Sequence, residues 1–165
     1  MLRYTKVARL LAGVVLSASL PLSASAQGKE PVKVGLVWSK SGNFSSMGVD
    51  VATAIRFAVE EANAKGGVDG RQVLLAEGDD ESTPDAGRRA AEKLARDGHN
   101  LLIGPIPSSI SLAIVQNLDR WDAAYIGTIS KADKLTADAC KPRFIRTNHS
   151  DAMDLAMISE WVKGL

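Results

Sequence analysis

The apolar positions of this chain switch repeatedly between two periods. Short β-branched runs, suited to buried parallel strands, alternate with longer stretches whose apolar residues recur every three or four positions. "VKVGLVW" at residues 32–38 reads as the first strand and ends in the loop "SKSGNFSSMG". Val51, Ala54, Ile55, Ala58, Val59 and Ala62 then trace one face of a helix that closes near Gly66. A second strand is expected at 73–77. In "STPDAGRRAAEKLARDG", Thr83 is placed to cap a second helix, with Pro84 at its first position and Gly98 at its end. Residues 101–103 form the third strand, and Ile110, Ala113, Ile114, Asn117 and Leu118 mark the third helix. Strands follow at 123–126 and, more weakly, at 143–146. The last helix is capped by Ser150 or Asp151 and carries Leu155, Ile158 and Val162 on one face. Such alternation predicts an α/β fold: a doubly wound parallel sheet with helices on both faces.

In an open α/β sheet, ligands gather beyond the carboxyl ends of the strands, where strand order reverses. Three loops occupy such ends, at residues 39–48, 104–109 and 127–133. All are rich in Ser, Gly and Thr and poor in acids. Ser108 and Ser109 stand where the third helix starts, after Gly104-Pro105. A helix N-terminus presents unpaired N–H groups and partial positive charge, so it can hold a carboxylate or phosphate. Serine is also an ordinary N-cap, and the stretch by itself favours capping.

The chain has 165 residues, 45% hydrophobic and 24% charged, which suffices for one domain with a real core. Its formal charge of +1 comes from the N-terminus. Arg3, Lys6 and Arg9 precede a short apolar stretch, "LLAGVVLSASLPL", and Ala24-Ser25-Ala26 fits a small-x-small cleavage site. Residues 1–26 therefore read as an export signal cleaved near Ala26, giving a mature chain from about Gln27. The apolar stretch is short for a membrane anchor, and Pro21 interrupts it. With the segment removed, 17 basic residues face 19 acidic ones. No basic patch interleaved with aromatics appears, so nucleic acid is not an expected partner.

Catalytic and cofactor chemistry find no motif. The first loop lacks the spacing of phosphate-binding loops. The acids of "EGDDES" at 77–82 lack the spacing of a calcium loop and read as a solvated loop. His99 and His149 belong to no metal-ligand set and are expected at the surface. No nucleophile motif is present, and Cys140, the only cysteine, has no activating partner and no internal disulfide. The expectation is a binding protein with no metal and no cofactor. A sensor domain for a signalling partner, or less readily a small exported α/β hydrolase, are the alternatives.

Several stretches together resemble the periplasmic solute-binding proteins of ABC transporters of the leucine/isoleucine/valine type. They are "VKVGLVWSKSGNFSSMG", "AVEEANAKGGVDGRQVLLAEGDDESTP", "LLIGPIPSSISLAI", "YIGTISKADKLT" and "FIRTNHSD", in the family's order. The resemblance implies two α/β lobes around a cleft. It also implies a small ligand, an amino acid or another carboxylate, and delivery to ABC permease subunits in the membrane. By match to the family's G-P-x-x-S segment, Ser108 offers a hydroxyl to the ligand and Ser109 a backbone donor, with Ser108 also capping its helix. In the loop 127-GTISK-131, Ile129 matches a backbone contact, Ser130 accompanies it, and Lys131 replaces a usual threonine. Met47 stands where an aromatic often covers the ligand. The resemblance covers residues 32–151, so residues 27–165 are expected to form the N-terminal lobe, with the family's second lobe lying outside this sequence.

Overall fold

The computed structural model describes residues 29–165; the export signal read at 1–26 lies outside them. The strands are β1 (Val32–Trp38), β2 (Val73–Asp79), β3 (Leu101–Ile103), β4 (Ala124–Gly127) and β5 (Phe144–Arg146). All pair in parallel, in the order β2-β1-β3-β4-β5. The helices are α1 (Ser45–Ala64), α2 (Pro84–Arg96), α3 (Ser108–Val115), α4 (Leu118–Trp121) and α5 (Asp151–Lys163), with a 3-10 turn at Asp133–Leu135.

β1 lies inside the sheet, and Val34 to Trp38 are all buried. Alternate residues of a strand face opposite sides, so such a run needs helices on both. Leu36 and Trp38 pack with Ala52 of α1, and Ile55 lies against them. Val37 points the other way, into a larger core that includes Leu94 of α2, Ile110 and Ile114 of α3, Leu102 and Tyr125. The doubly wound sheet expected from the sequence is the one that forms.

Element boundaries depart from the sequence pattern where distant contacts intervene. β2 runs through the acidic Glu77 to Asp79 because its carboxylates have partners. Arg56 of α1 donates twice to Glu77, at 2.7 and 2.8 Å, and Trp38 Nε1 donates at 3.0 Å. The Arg56 guanidinium, aided by Trp38 and Lys40, outweighs partial burial and holds the Glu77 carboxyl down to about 2. α1 begins at Ser45, inside the stretch read as a loop. Gly48, the last residue of that stretch, is a buried helical residue. A Cβ there would strike the carbonyl oxygen of Ser39, so glycine lets the first turn of α1 press against the end of β1. α2 starts as expected, with Thr83 accepting from Ala86 N and Pro84 in the first turn. Ser150 caps α5, accepting from Met153 N at 3.3 Å. That helix nevertheless buries none of its residues, and Leu155, Ile158 and Val162 are exposed.

Candidate ligand-binding site

The chain leaves β1 for β2 on one side, then returns to β3 on the other. β1 and β3 are neighbours, so strand order reverses between them. Loops leaving adjacent strands for opposite faces open a crevice at the carboxyl ends. Met47, in the first turn of α1, is 51% exposed on the β1 side. Ser108 and Ser109 open α3 on the β3 side; Ser108 is half-buried and Ser109 exposed. Ile129 and Lys131, half-buried, follow β4. A separate recess of about 390 Å³, lined by Glu77, Asp79, Arg89 and Lys93 among others, lies against α2 and contains none of these residues.

The serines do not cap α3, contrary to expectation. Pro107 is the N-cap residue, in extended backbone, and among the described residues no side chain caps the helix. Ser108 Oγ instead accepts the backbone N–H of Ala132 at 3.2 Å. A contact between neighbouring strand ends has claimed the oxygen that local geometry would have assigned to the helix. The Ser108 O–H is left to donate. The N–H groups of Ile110 and Ser111 turn back to the Pro107 carbonyl. Those of Ser108 and Ser109 precede the first intrahelical bond and are of the kind a helix start offers to an anion.

Ser130 lies beneath this surface, 1% exposed. Its hydroxyl donates to the carbonyls of Pro105 and Ile106 at 3.0 and 3.2 Å. It also meets Ser111 Oγ at 2.5 Å, and Ser111 meets the Tyr125 hydroxyl at 2.6 Å. One proton per hydroxyl fixes the direction of this chain. Ser130 gives its proton to the carbonyls, so Ser111 donates to Ser130 and Tyr125 donates to Ser111. Burial raises the Tyr125 hydroxyl's pKa, which keeps that donor protonated. Ser130 therefore ties the β4 loop to the β3 loop, and its hydroxyl is occupied.

Asp79 and Asp80 of "EGDDES" are fastening groups for the first loop, a role that sequence spacing did not signal. Asp79 Oδ1 accepts from the N–H groups of Lys40, Ser41 and Glu81, and Ser41 Oγ donates to Oδ2. Burial pushes Asp79 up, but these donors together leave its pKa lowered. Ser39 Oγ donates to the fully buried Asp80 at 2.6 Å. Burial dominates there and raises the Asp80 carboxyl's pKa. Ser82 Oγ donates to Ser41 O and accepts from Phe44 N. The chain from β1 to α1 is held along most of its length.

Lys131 is also engaged. Its Nζ lies 2.8 Å from Asp154 Oδ2 on α5, while His149 Nε2 lies 2.8 Å from Oδ1 of the same carboxylate. Asn148 donates to the carbonyls of Ile129 and Ser130. The structure thus joins the loops carrying Ser108, Ile129 and Lys131, leaves Met47 apart from them in the exposed first turn of α1, and places Ser130 underneath.

The family model described as periplasmic binding protein matches residues 31–164. The chain belongs to that family. It is 32% identical over 105 residues to the Leu/Ile/Val-binding protein BraC3 of Rhizobium johnstonii, covering 64% of this chain and 29% of the relative. Leu/Ile/Val-binding protein homolog 8 of Brucella suis is 26% identical over 160 residues, which cover 97% of this chain and 40% of the relative. The chain therefore spans well under half the length of these curated relatives. An ABC transporter substrate-binding protein from Desulfitobacterium hafniense, in complex with Leu, superposes with a TM-score of 0.71 at 27% identity, covering 81% of this chain and 38% of that one. A solute-binding protein of an ABC transporter from R. palustris, in complex with benzoate, gives a TM-score of 0.66 at 26% identity, with 74% and 34% covered. These relatives are named as binding proteins.

Proposed function

We propose that this chain is the N-terminal lobe of an extracytoplasmic receptor for an ABC importer. It captures an amino acid or another small carboxylate between two lobes and delivers it to permease subunits in the membrane. The observation that carries this reading is the junction of the β3 and β4 loops, where Ser108 accepts from Ala132 and keeps its own proton to donate. In this reading the Ser108 hydroxyl and the Ser109 N–H bind the ligand carboxylate at the start of α3, where the helix end favours negative charge. Ile129 adds a backbone contact, Lys131 positive charge, and Met47 an adaptable apolar cover. Two ligands of related proteins support the carboxylate. Leucine and benzoate differ in their apolar bodies and in the ammonium group, but each carries one carboxylate.

Ser108→Ala tests the site. In a two-lobed protein containing this lobe, it is expected to weaken carboxylate binding by about 1–3 kcal/mol, the cost of an underpaired buried anion. Titration calorimetry measures it; unchanged affinity would return Ser108 to fastening the β4 loop.

The same reading makes residues 1–26 a signal removed near Ala26 and residues 27–165 one lobe of two. The apolar residues of α5, including Met153, Met157 and Trp161, are exposed; packing against a second lobe would cover them. Mass spectrometry of periplasmic protein is expected to find a first residue near Gln27. A chain still starting at Met1 and retained in the cytoplasm would overturn the export assignment.

A further inference from the structure

We infer that Asp154 holds the Lys131 ammonium in reserve, and that a ligand carboxylate draws it away, loosening the start of α5. This rests on the site proposed above. Three features make the lysine exchangeable. First, its backbone is pinned by several bonds while its side chain is held by one. The Lys131 carbonyl accepts from Asp151 N at 3.0 Å and from Arg146 Nη1 at 3.2 Å. Arg146 also donates to Ala132 O and Thr136 Oγ1. Asp133 Oδ1 accepts Ala152 N at 3.1 Å, fixing the other side of the same junction. Second, the ammonium has three donors, and among the described residues one acceptor, Asp154, occupies it. Its side chain is 41% exposed, on a flexible four-carbon stem. Third, Asp154 keeps a partner if Lys131 leaves, because His149 Nε2 sits 2.8 Å from its other oxygen. A half-buried carboxylate with no second donor would oppose the exchange more strongly.

The arrangement links two places. Lys131 lies between Ile129 and Ala132, and the latter's N–H is held by Ser108. Asp154 lies in the first turn of α5, next to Met153, whose N–H is held by the Ser150 cap. A carboxylate bound at Ser108 competes with Asp154 for one ammonium. Binding there therefore weakens one of the ties between the β4 loop and α5.

The test uses the full chain, with sodium benzoate as probe and benzamide as the uncharged control, followed by NMR at millimolar ligand. Asp154→Asn removes the competitor and is expected to tighten benzoate binding roughly two- to fivefold, the range set by a partly exposed ion pair. Benzamide binding should not change. Lys131→Met should weaken benzoate, and Asp154→Asn in the Lys131→Met background should have no further effect. A gain that persists without Lys131, or no gain in the single variant, overturns the proposal. As a measurement that needs no variant, benzoate should speed amide exchange at residues 152–154 of the unaltered chain in proportion to its occupancy of the site; unchanged exchange at a benzoate concentration that shifts the Ser108 and Ala132 amide signals also overturns it. Ser108→Ala in the same titration separates the two levels. If it leaves benzoate binding unchanged, the site itself is wrong. If it weakens binding while Asp154→Asn does not tighten it, only the latch is wrong.

Discussion

Gly104→Ala is expected to destabilise the fold by about 3 kcal/mol or more, a loss large enough to need a specific structural cause. Gly104 has φ of +104°, where an L side chain is strained by about 1–3 kcal/mol. A Cβ there would also overlap the carbonyl oxygen of Val37. Val37 is 1% exposed, on a strand bonded on both sides by β2 and β3. Relief therefore requires a backbone shift within the sheet. Gly70→Ala is the control, since Gly70 has φ of +73° but, among the described residues, nothing within 4 Å of a new Cβ. It should show the strain alone. Urea unfolding followed by circular dichroism distinguishes them; equal losses at the two positions would mean that the turn after β3 has room to adjust. The turn at Gly104 also leads to Ser108, so any variant that folds should have a displaced Ser108 hydroxyl.

Most of the architecture was legible in the sequence because its causes are local. β1 matches the reading residue for residue: a β-branched run ends at a Ser/Gly loop, and nothing distant redefines it. Thr83-Pro84 likewise encodes the start of α2 within a few residues. The loop read at 39–48 runs too far, to Gly48, because glycine serves two ends. The same residue that suits a turn also allows close helix-to-strand approach, and only the position of the Ser39 carbonyl decides. The site was legible as a set of loops but not as a set of bonds. Ser108 reads as a cap until Ala132, twenty-four residues away, takes its oxygen. Ser130 reads as a ligand-loop residue beside Ile129, but it anchors a buried hydroxyl chain to Tyr125. Lys131 and Asp154 lie 23 residues apart, and no periodicity joins them. In α5 the spacing of Leu155, Ile158 and Val162 suggested a packed face, yet the described residues provide no surface against it.

By itself, this chain is expected to bind L-leucine or benzoate only at millimolar concentrations or above. The candidate residues line one wall. Ser109 is exposed and Met47 is 51% exposed, whereas a good small-molecule site buries roughly 70–90% of its ligand. Hydrogen bonds that compete with water contribute about 0.5–1.5 kcal/mol each, so three or four give roughly 2–6 kcal/mol. Micromolar affinity requires about 8 kcal/mol, after the cost of immobilising the ligand has been met. Apolar contact would have to supply the difference, and one open wall provides little of it. The exposed apolar residues of α5, with Trp161 at 67% and Leu155 at 67%, favour contact between copies instead. Sedimentation velocity on the purified chain should therefore show association that increases with concentration, and titration of its monomer should show weak, unsaturated ligand signals. Tight, saturable one-to-one binding by the monomer would place the site elsewhere in the chain, because the loops after β1, β3 and β4 do not enclose enough of a ligand to produce it.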